Sequence, residues 1–595
     1  MNTVPEGSDR LTQLRSLELL DTLSDEALAA VERAVAWLDV PAGSDVFHEG
    51  DPSDAMYLVA HGRLAAVKRD EGSEQRIVRE IAAGQPLGEL GMLLEQPRSA
   101  TVTALRDSSL VRLDRGSFEA LIARHPDALL PLSRRIAERL VVTSQQSRSA
   151  ATAAVWLVAG ASTSVALDDI WHELAPLIEA EGGRCMTAAE LGRACGGTSA
   201  LEPARAARWL DAQARAGEPI FVLGNDAAAV RSLAPNVDRT LLIADATNAP
   251  SLGPLERYFE DLHERGIPTT VDLVLLQSAD VRPTNTATWL EHVGPRRHHH
   301  VRPGDPHDLA RVARTLTGRA VALVLGGGGA RAFVHIGVIR ALQEARIPID
   351  FVVGTNVGAV IGAQLALGWD PERMLEENGR GWPWVGRDFT LPFVSLLGGR
   401  NLRGLMASMF GDVSIENLQL DFRCATIDLS WCRLVTHTTG PLARWVRASV
   451  SVPGIHPPVV EDGRMYVDGG LLRNVPTDLA RETGAGSVIA VDPSPFRRQT
   501  IDSRVDEAPT GVDFLLQFLP IVGTGFPSVI SLIYRALSVA QQFRQQESTW
   551  QPDLCIEPPV DDYGITDYSH IKEIAEFGYE ETLRRLESHD GFDTP

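Results

Sequence analysis

Cysteine is scarce in this sequence: Cys185, Cys195, Cys424, Cys432 and Cys555 are five among 595 residues. They are scattered, with no pair at metal-ligand spacing. This argues against a cysteine-built zinc site and a disulfide framework, and fits a reducing cytoplasm. Positive charge is also short, with 56 Lys and Arg against 78 Asp and Glu, a net charge of −22. That balance speaks against wholesale binding of nucleic acid or anionic lipid, although a local patch can still do either. No uninterrupted apolar run reaches the roughly 18 residues of a spanning helix. The opening MNTVPEGSDR is polar, without the pattern of a signal peptide.

What is present is an ordinary composition for a well-cored protein, 44% hydrophobic and 23% charged, at a length that implies three or four domains. Over residues 38–115, short alternating runs punctuated by Gly, Pro and Asp (VFHEG, AMYLVAHGRLAAVKR, RIVREI, TVTAL, SLVRLD) predict a small antiparallel β-roll. A helical run over 117–146 closes it, and SRSAATAA reads as a linker. From 152 to 315, VWLVAG, PIFVLG, TLLIAD and TVDLVLLQ alternate with helical stretches, the pattern of an α/β layer. A second α/β unit starts at Arg319. Residues 514–543 are apolar with one formal charge, Arg535, and are broken by Pro520, Gly523, Gly525 and Pro527. Two short helices about a kink suit a membrane interface, the lip of a substrate channel or a homodimer contact, and a buried core hairpin equally well.

Between two strands of the roll lies LGELGMLLEQPRSATV. One short loop thus offers the Glu89 carboxylate, backbone N–H groups around Gly88, Leu90 and Ser99, and the Arg98 guanidinium. A cyclic nucleotide requires such a set, because charge-assisted bonds and backbone donors hold its phosphate while a carboxylate accepts from the ribose hydroxyl. The motif resembles the phosphate-binding cassette of cyclic-nucleotide-binding domains over about residues 20–145. The resemblance implies that Glu89 takes the ribose and Arg98 the phosphate of cAMP or cGMP, with Gly88, Leu90 and Ser99 as donors. A retained fold with a lapsed pocket is the alternative. No basic recognition helix follows, so a nucleic-acid partner is not expected.

VALVLGGGGARAFVHIGV, residues 321–338, is a strand, four glycines and a helix. The amides of Gly326, Gly327, Gly328 and Gly329 can stabilise an oxyanion or a phosphate, and the lack of a following Gly-Lys-Ser/Thr disfavours the latter. About one βαβ unit later, VVGTNVGAVIGA (352–363) has the form of a nucleophile elbow with Gly354 and Gly358 about its apex. The apex is Asn356, and an amide is no nucleophile. MYVDGGLLRNVP then ends a strand on Asp468.

Glycine loop, elbow and Asp-Gly-Gly in this order resemble the patatin-like phospholipases. RASVSVPGIHPPV, the lead-in from His298 and the C-terminal LCIEPPVDDYGITDYSHIKEIAEFGYEET are similar to the neuropathy target esterase branch. The resemblance implies a Ser–Asp dyad that hydrolyses acyl esters of phospholipids and lysophospholipids without a metal or catalytic cofactor, with Asp468 as base. Two positions depart from the family pattern. Asn356 replaces the serine, and Ala332 replaces a glycine, a change that costs about 1 kcal/mol if the position needs positive φ. The expectation is a form inactive in ester hydrolysis, with Asn356 bonded to Asp468; an Asp468-activated water is the other route. His298, His299 and His300 are expected to be structural, since neighbours on a strand face opposite ways, and His335 to pack near the pocket.

The expected architecture is a cyclic-nucleotide-binding β-roll over 1–146, an α/β middle domain over 152–315 and an α/β patatin-like domain over 319–595 that includes 514–543. The expected location is the cytoplasm, with peripheral attachment to membrane.

Overall fold

The computed structural model describes residues 7–493 and 551–588, apart from 16, 18, 22, 70–74, 95, 126–153, 163, 197–202, 215, 216, 265–270 and 279–281. The continuation of the closing helix beyond 125, most of the linker and the apolar segment 514–543 lie outside the described residues. The chain forms two compact units, Met1–Gly318 and Arg319–Pro595.

The first unit opens with two antiparallel four-stranded sheets. One orders Ala36–Val40, Ser108–Asp114, Ala55–His61 and Pro86–Leu87; the other orders Asp45–Phe47, Thr101–Ala104, Arg63–Arg69 and Gln75–Ala82. The single run AMYLVAHGRLAAVKR is therefore two strands in different sheets. Gly62 makes the break: its φ is +99°, and a Cβ there would stand 2.1 Å from Ser108 Oγ. A six-stranded sheet follows, ordered Arg184–Thr187, Ile220–Leu223, Val155–Gly160, Arg239–Asp245, Val271–Leu276 and Arg297–Val301. Every pairing in it is parallel. Val155, Leu157 and Ala159 enter one apolar cluster while Trp156 and Val158 enter another, so the strand is covered on both faces.

The roll and this sheet, expected as separate domains, are joined by buried charge. The Arg106 guanidinium donates to Asp211 and, at 2.8 Å, to the Asn236 carbonyl, and lies 3.3 Å from Asp238. Asp211 also accepts from the Gly62 amide at 3.0 Å and pairs with His61, while Arg63 stands 3.5 Å from both Asp238 and Glu80. Burial pushes the Asp211 carboxyl up, but Arg106, His61 and the Gly62 amide outweigh it and hold the group far below the usual carboxylate range. Ala65, Val67 and Leu105 of the roll share an apolar cluster with Val155 and Leu210.

The second unit is built on an eight-stranded sheet. Its order is Val459–Glu461, Arg464–Asp468, Asp421–Asp428, Phe351–Gly354, Val321–Leu325, Ser487–Val491 and Leu554–Ile556, with Arg433–His437 on Asp421–Asp428. The central strands are parallel and wholly buried, and one large apolar cluster fills the side carrying helices Val334–Glu344 and Val357–Ala366. Helix Ile571–Glu587 crosses Val334–Glu344 so closely that a Cβ on Gly337 would lie 1.8 Å from the Ala575 carbonyl oxygen. No helix among the described residues is long and apolar enough to cross a membrane.

Candidate active site

Leu325 and Gly354 are paired neighbours at the C-terminal ends of parallel strands, so the glycine loop and the elbow leave the sheet side by side. Open α/β sheets place ligands at this edge. Asp468 ends an antiparallel strand opposite Thr426, two strands from the one that feeds the elbow, and reaches the same spot.

The elbow turns on Asn356, with φ 52° and ψ −130°, a sparsely populated conformation that costs about 1–3 kcal/mol unless its surroundings enforce it. They do. The Asn356 amide donates to Ser449 Oγ at 3.0 Å, and Thr355 Oγ1 donates to the Asn474 carbonyl at 2.6 Å. Gly354 and Gly358 leave no room for a side chain: a Cβ would lie 2.5 Å from Ala359 Cα and 2.2 Å from the Leu325 oxygen respectively. The Asn356 side chain donates through Nδ2 to Asp468 Oδ2 at 2.7 Å, and Asp468 Oδ1 accepts from the Gly470 amide at 2.8 Å. Burial pushes the Asp468 carboxyl up to about 7, against the opposing effect of those two donors.

The four glycines are not equivalent. Gly326 gives its amide to the Val491 carbonyl at 3.0 Å, within the sheet edge. Gly327 gives its amide to Asn474 Oδ1 at 2.9 Å, and Asn474 Nδ2 returns a bond to the Gly327 carbonyl at 3.1 Å. Of the four amides expected to serve as oxyanion donors, those of Gly326 and Gly327 are thus already committed within the protein. The amides of Gly328 and Gly329 have no hydrogen-bond partner among the described residues. A Cβ on Gly327 would stand 2.6 Å from Asn356 Cβ, so the loop is pressed against the elbow. Ala332 lies buried in the short 3₁₀ turn Gly329–Phe333 and is absent from the left-handed positions, so the strain considered for it does not arise.

Asn356 and Gly329 open into a cavity of about 470 Å³ lined by Val385, Leu397, Leu402, Val450, Val452 and Ile455 among others. Its size and apolar walls suit an acyl chain. His456 also lines it, and its Nδ1 has no partner among the described residues. His335 is fully buried, contacts the Gly326 carbonyl through Nε2 at 2.7 Å and is pushed down to about 4 by burial, a packing role as expected from the sequence. His298 and His300 meet edge to face at 5.3 Å on strand Arg297–Val301, with His299 between them in sequence and pushed down to about 3 by burial. Three consecutive strand positions do not converge on one ion. The sequence reading missed Ser449 and Asn474, although both stand inside quoted motifs; a polar residue in a run otherwise apolar or glycine-rich was the available signal.

In the roll, Gly88 (φ 75°) precedes helix Glu89–Leu94, and Arg98 folds back to donate to the Gly88 carbonyl at 3.2 Å and the Ala55 carbonyl at 2.7 Å. Its guanidinium lies 4.1 Å over the Phe47 ring. Glu89 is buried, and burial raises its carboxyl against the Glu89 backbone amide, Arg79 and Arg98. Ser99 is exposed. A buried arginine whose Nε lacks a partner among the described residues, beside a buried carboxyl, fits a ligand carrying both an anion and a hydroxyl.

The family model of the patatin-like phospholipases matches residues 323–481, and that of the cyclic nucleotide-binding domain matches residues 37–125. Curated relatives align along nearly the whole chain. Lysophospholipase nte1 of Neosartorya fischeri is 28% identical over 97% of this chain and 44% of its own length. Patatin-like phospholipase domain-containing protein 7 of Rattus norvegicus is 29% identical over 92% of this chain and 45% of its own. Residues 323–481 thus form a patatin-like phospholipase domain. The chain joins a patatin domain to a cyclic nucleotide-binding domain, as expected from the sequence, and is similar along its length to lysophospholipases of the neuropathy target esterase type. It spans less than half the length of these relatives. Among solved structures, the regulatory domain of Toxoplasma gondii PKA with cAMP is 31% identical over 20% of this chain and 46% of its own, with a TM-score of 0.19. The patatin match encloses the glycine loop, Asn356 and Asp468; the cyclic nucleotide match encloses Gly88 through Ser99.

Proposed function

We propose that the patatin domain is an acyl-ester hydrolase pocket for phospholipids and lysophospholipids in which the nucleophile position is held by an amide, leaving this form inactive. The observation that carries the reading is the 2.7 Å bond from Asn356 Nδ2 to Asp468 Oδ2. In a Ser–Asp dyad that oxygen takes the serine proton while the substrate carbonyl oxygen, turning tetrahedral, faces the Gly328 and Gly329 amides. Here the proton acceptor is occupied by a donor that cannot attack carbon. The same bond disfavours the water route, because the oxygen that would deprotonate water is already engaged. A fluorophosphonate probe tests this: the protein should stay unlabelled and Asn356→Ser should label at residue 356. Labelling of the unmodified protein within the pocket would overturn the reading.

The satisfied Asn356–Asp468 pair also supports a non-catalytic role, a lipid-binding protein switched by cyclic nucleotide. In either role the roll takes cAMP or cGMP, with Arg98 on the phosphate and Glu89 on the ribose. Arg98→Ala should weaken nucleotide binding by roughly 10- to 150-fold, the range of a lost charge-assisted bond. Titration calorimetry reads this directly, and a flat trace for the unmodified protein at millimolar nucleotide would end the assignment. On this reading the protein works at membrane surfaces as a peripheral component, where phospholipid substrates reside.

A further inference from the structure

Five of the twelve exposed large apolar side chains among the described residues fall within residues 384–394: Trp384, Phe389, Leu391, Phe393 and Val394. Phe393 is 89% exposed and Leu391 72%. Scattered apolar residues need no explanation on a protein surface, but a concentrated patch does.

The segment is built to hold that shape. It joins helices Pro371–Val385 and Arg400–Phe410 as a tight hairpin, with Phe389 paired to Leu397 and the Thr390 amide donating to the Leu396 carbonyl at 3.1 Å. Asp388 pins its base through the Arg400 amide at 2.5 Å, and Leu396 and Leu397 donate to the Gly454 and Ile455 carbonyls, each at 2.9 Å. The tip Leu391–Val394 stays bare. The flank is not bare, since Phe389, Leu396 and Leu397 line the cavity that ends on Asn356. Apolar surface thus runs from the exposed tip towards the pocket, interrupted only by Thr390 on one strand and Ser395 on the other.

Charge selects among occupants. Residues 384–403 carry Arg387, Arg400 and Arg403 against Asp388 alone, a cationic stretch in a chain of net charge −22. Asp388 is already committed to Arg400, and Arg387 stacks on Trp384 at 4.3 Å. A bare apolar tip on a base that carries arginine and tryptophan has the chemistry of an interfacial anchor, and the local positive charge complements an anionic lipid surface.

We infer that the 384–397 hairpin docks the patatin domain on an anionic phospholipid surface, with the Leu391–Val394 tip among the acyl chains and the Phe389 flank leading one chain into the cavity. The inference rests on reading that cavity as an acyl-chain site. It adds a candidate membrane contact to the expected one at 514–543, which lies outside the described residues.

The test uses the full chain and vesicles of phosphatidylcholine with about one-third phosphatidylglycerol. The protein should cosediment, and the triple variant Leu391→Ser, Phe393→Ser, Val394→Ser should bind at least about tenfold more weakly, given the transfer free energy of three apolar side chains. Neither measurement depends on catalysis. In an Asn356→Ser background the same triple variant should keep turnover of a short soluble ester and lose turnover of vesicle lipid. No soluble-ester activity in Asn356→Ser would count against the pocket reading while leaving docking to be judged by sedimentation. Unchanged sedimentation of the triple variant would overturn the docking inference, and so would a shift from dimer to monomer with vesicle binding intact.

Discussion

Asn356→Ser converts the protein into an esterase: hydrolysis of a short p-nitrophenyl ester rises from background by several orders of magnitude, up to the roughly 10⁶-fold that a nucleophile is worth in a triad hydrolase. The reasons are geometric. The elbow is over-determined by Ser449, Thr355 and the crowded Gly354 and Gly358, so a smaller side chain at residue 356 inherits the same apex. The Gly328 and Gly329 amides have no partner among the described residues, and Ala332 adds no backbone strain, so Ala332→Gly should change little. Asp468, pushed up to about 7 by burial, must be ionised to accept the serine proton. The rate should therefore rise with pH as Asp468 ionises, in a range that burial raises above that of an ordinary carboxylate, and level off beyond it. Adding Asp468→Asn keeps the shape, removes the acceptor and should erase the activity. A folded Asn356→Ser protein that stays inactive would show that the pocket has drifted beyond its nucleophile.

Arg106→Met should destabilise the first unit by about 3–5 kcal/mol, the range for a buried charge deprived of its partner. Methionine preserves most of the apolar stem, so the loss isolates the guanidinium. Asp211 and Asp238 then face each other's charge without the cation between them, and only His61, Arg63 and backbone donors remain. The sign with pH follows. In the unmodified protein Asp211 is depressed, so its stabilisation is present above the unfolded carboxylate range and is lost only as pH falls towards its folded value. Without Arg106 the burial effect dominates, the carboxyl rises, and stability declines as pH increases through the raised value. Urea denaturation at pH 5 and pH 8 should show the larger deficit at pH 8, and Asp238→Asn should recover part of it. A deficit below about 1 kcal/mol at both pH values would mean that the cluster joins the roll to the sheet in geometry only.

The strands that lead into the glycine loop, the elbow and Asp468, and the order of those three, were legible because each is local: an apolar run, a glycine cluster, a turn. The bond between Asn356 and Asp468 was legible as well, since only one donor type suits that acceptor. What the sequence hid is contact between distant segments. Nothing near Gly327 says that Asn474 will take its amide, and no motif marks Ser449 as the partner of the Asn356 amide. The same holds for Arg106, which reads as a surface arginine after a strand until a helix from the neighbouring layer brings Asp211 against it. The hairpin at 389–397 has no turn signature beyond Pro392 and Gly398, and its exposure is set by what fails to pack on it, which local pattern cannot encode.

The glycine loop owes its far wall to residues 563–568, some seventy positions past the strand Ser487–Val491. Ala330 donates to the Ile565 carbonyl at 2.8 Å, Arg331 to the Tyr563 carbonyl at 2.6 Å, and Thr566 and Tyr568 line the cavity. On a ribosome these residues emerge after Asn356, Asp468 and all four glycines. A nascent chain that has reached residue 493 therefore holds every reacting group yet has no closed pocket, and strand Leu554–Ile556 and helix Ile571–Glu587 act as the final keystone. Assembly of the site therefore waits until residues 554–587 have been made, and fragments that stop before them carry the motif without its enclosure.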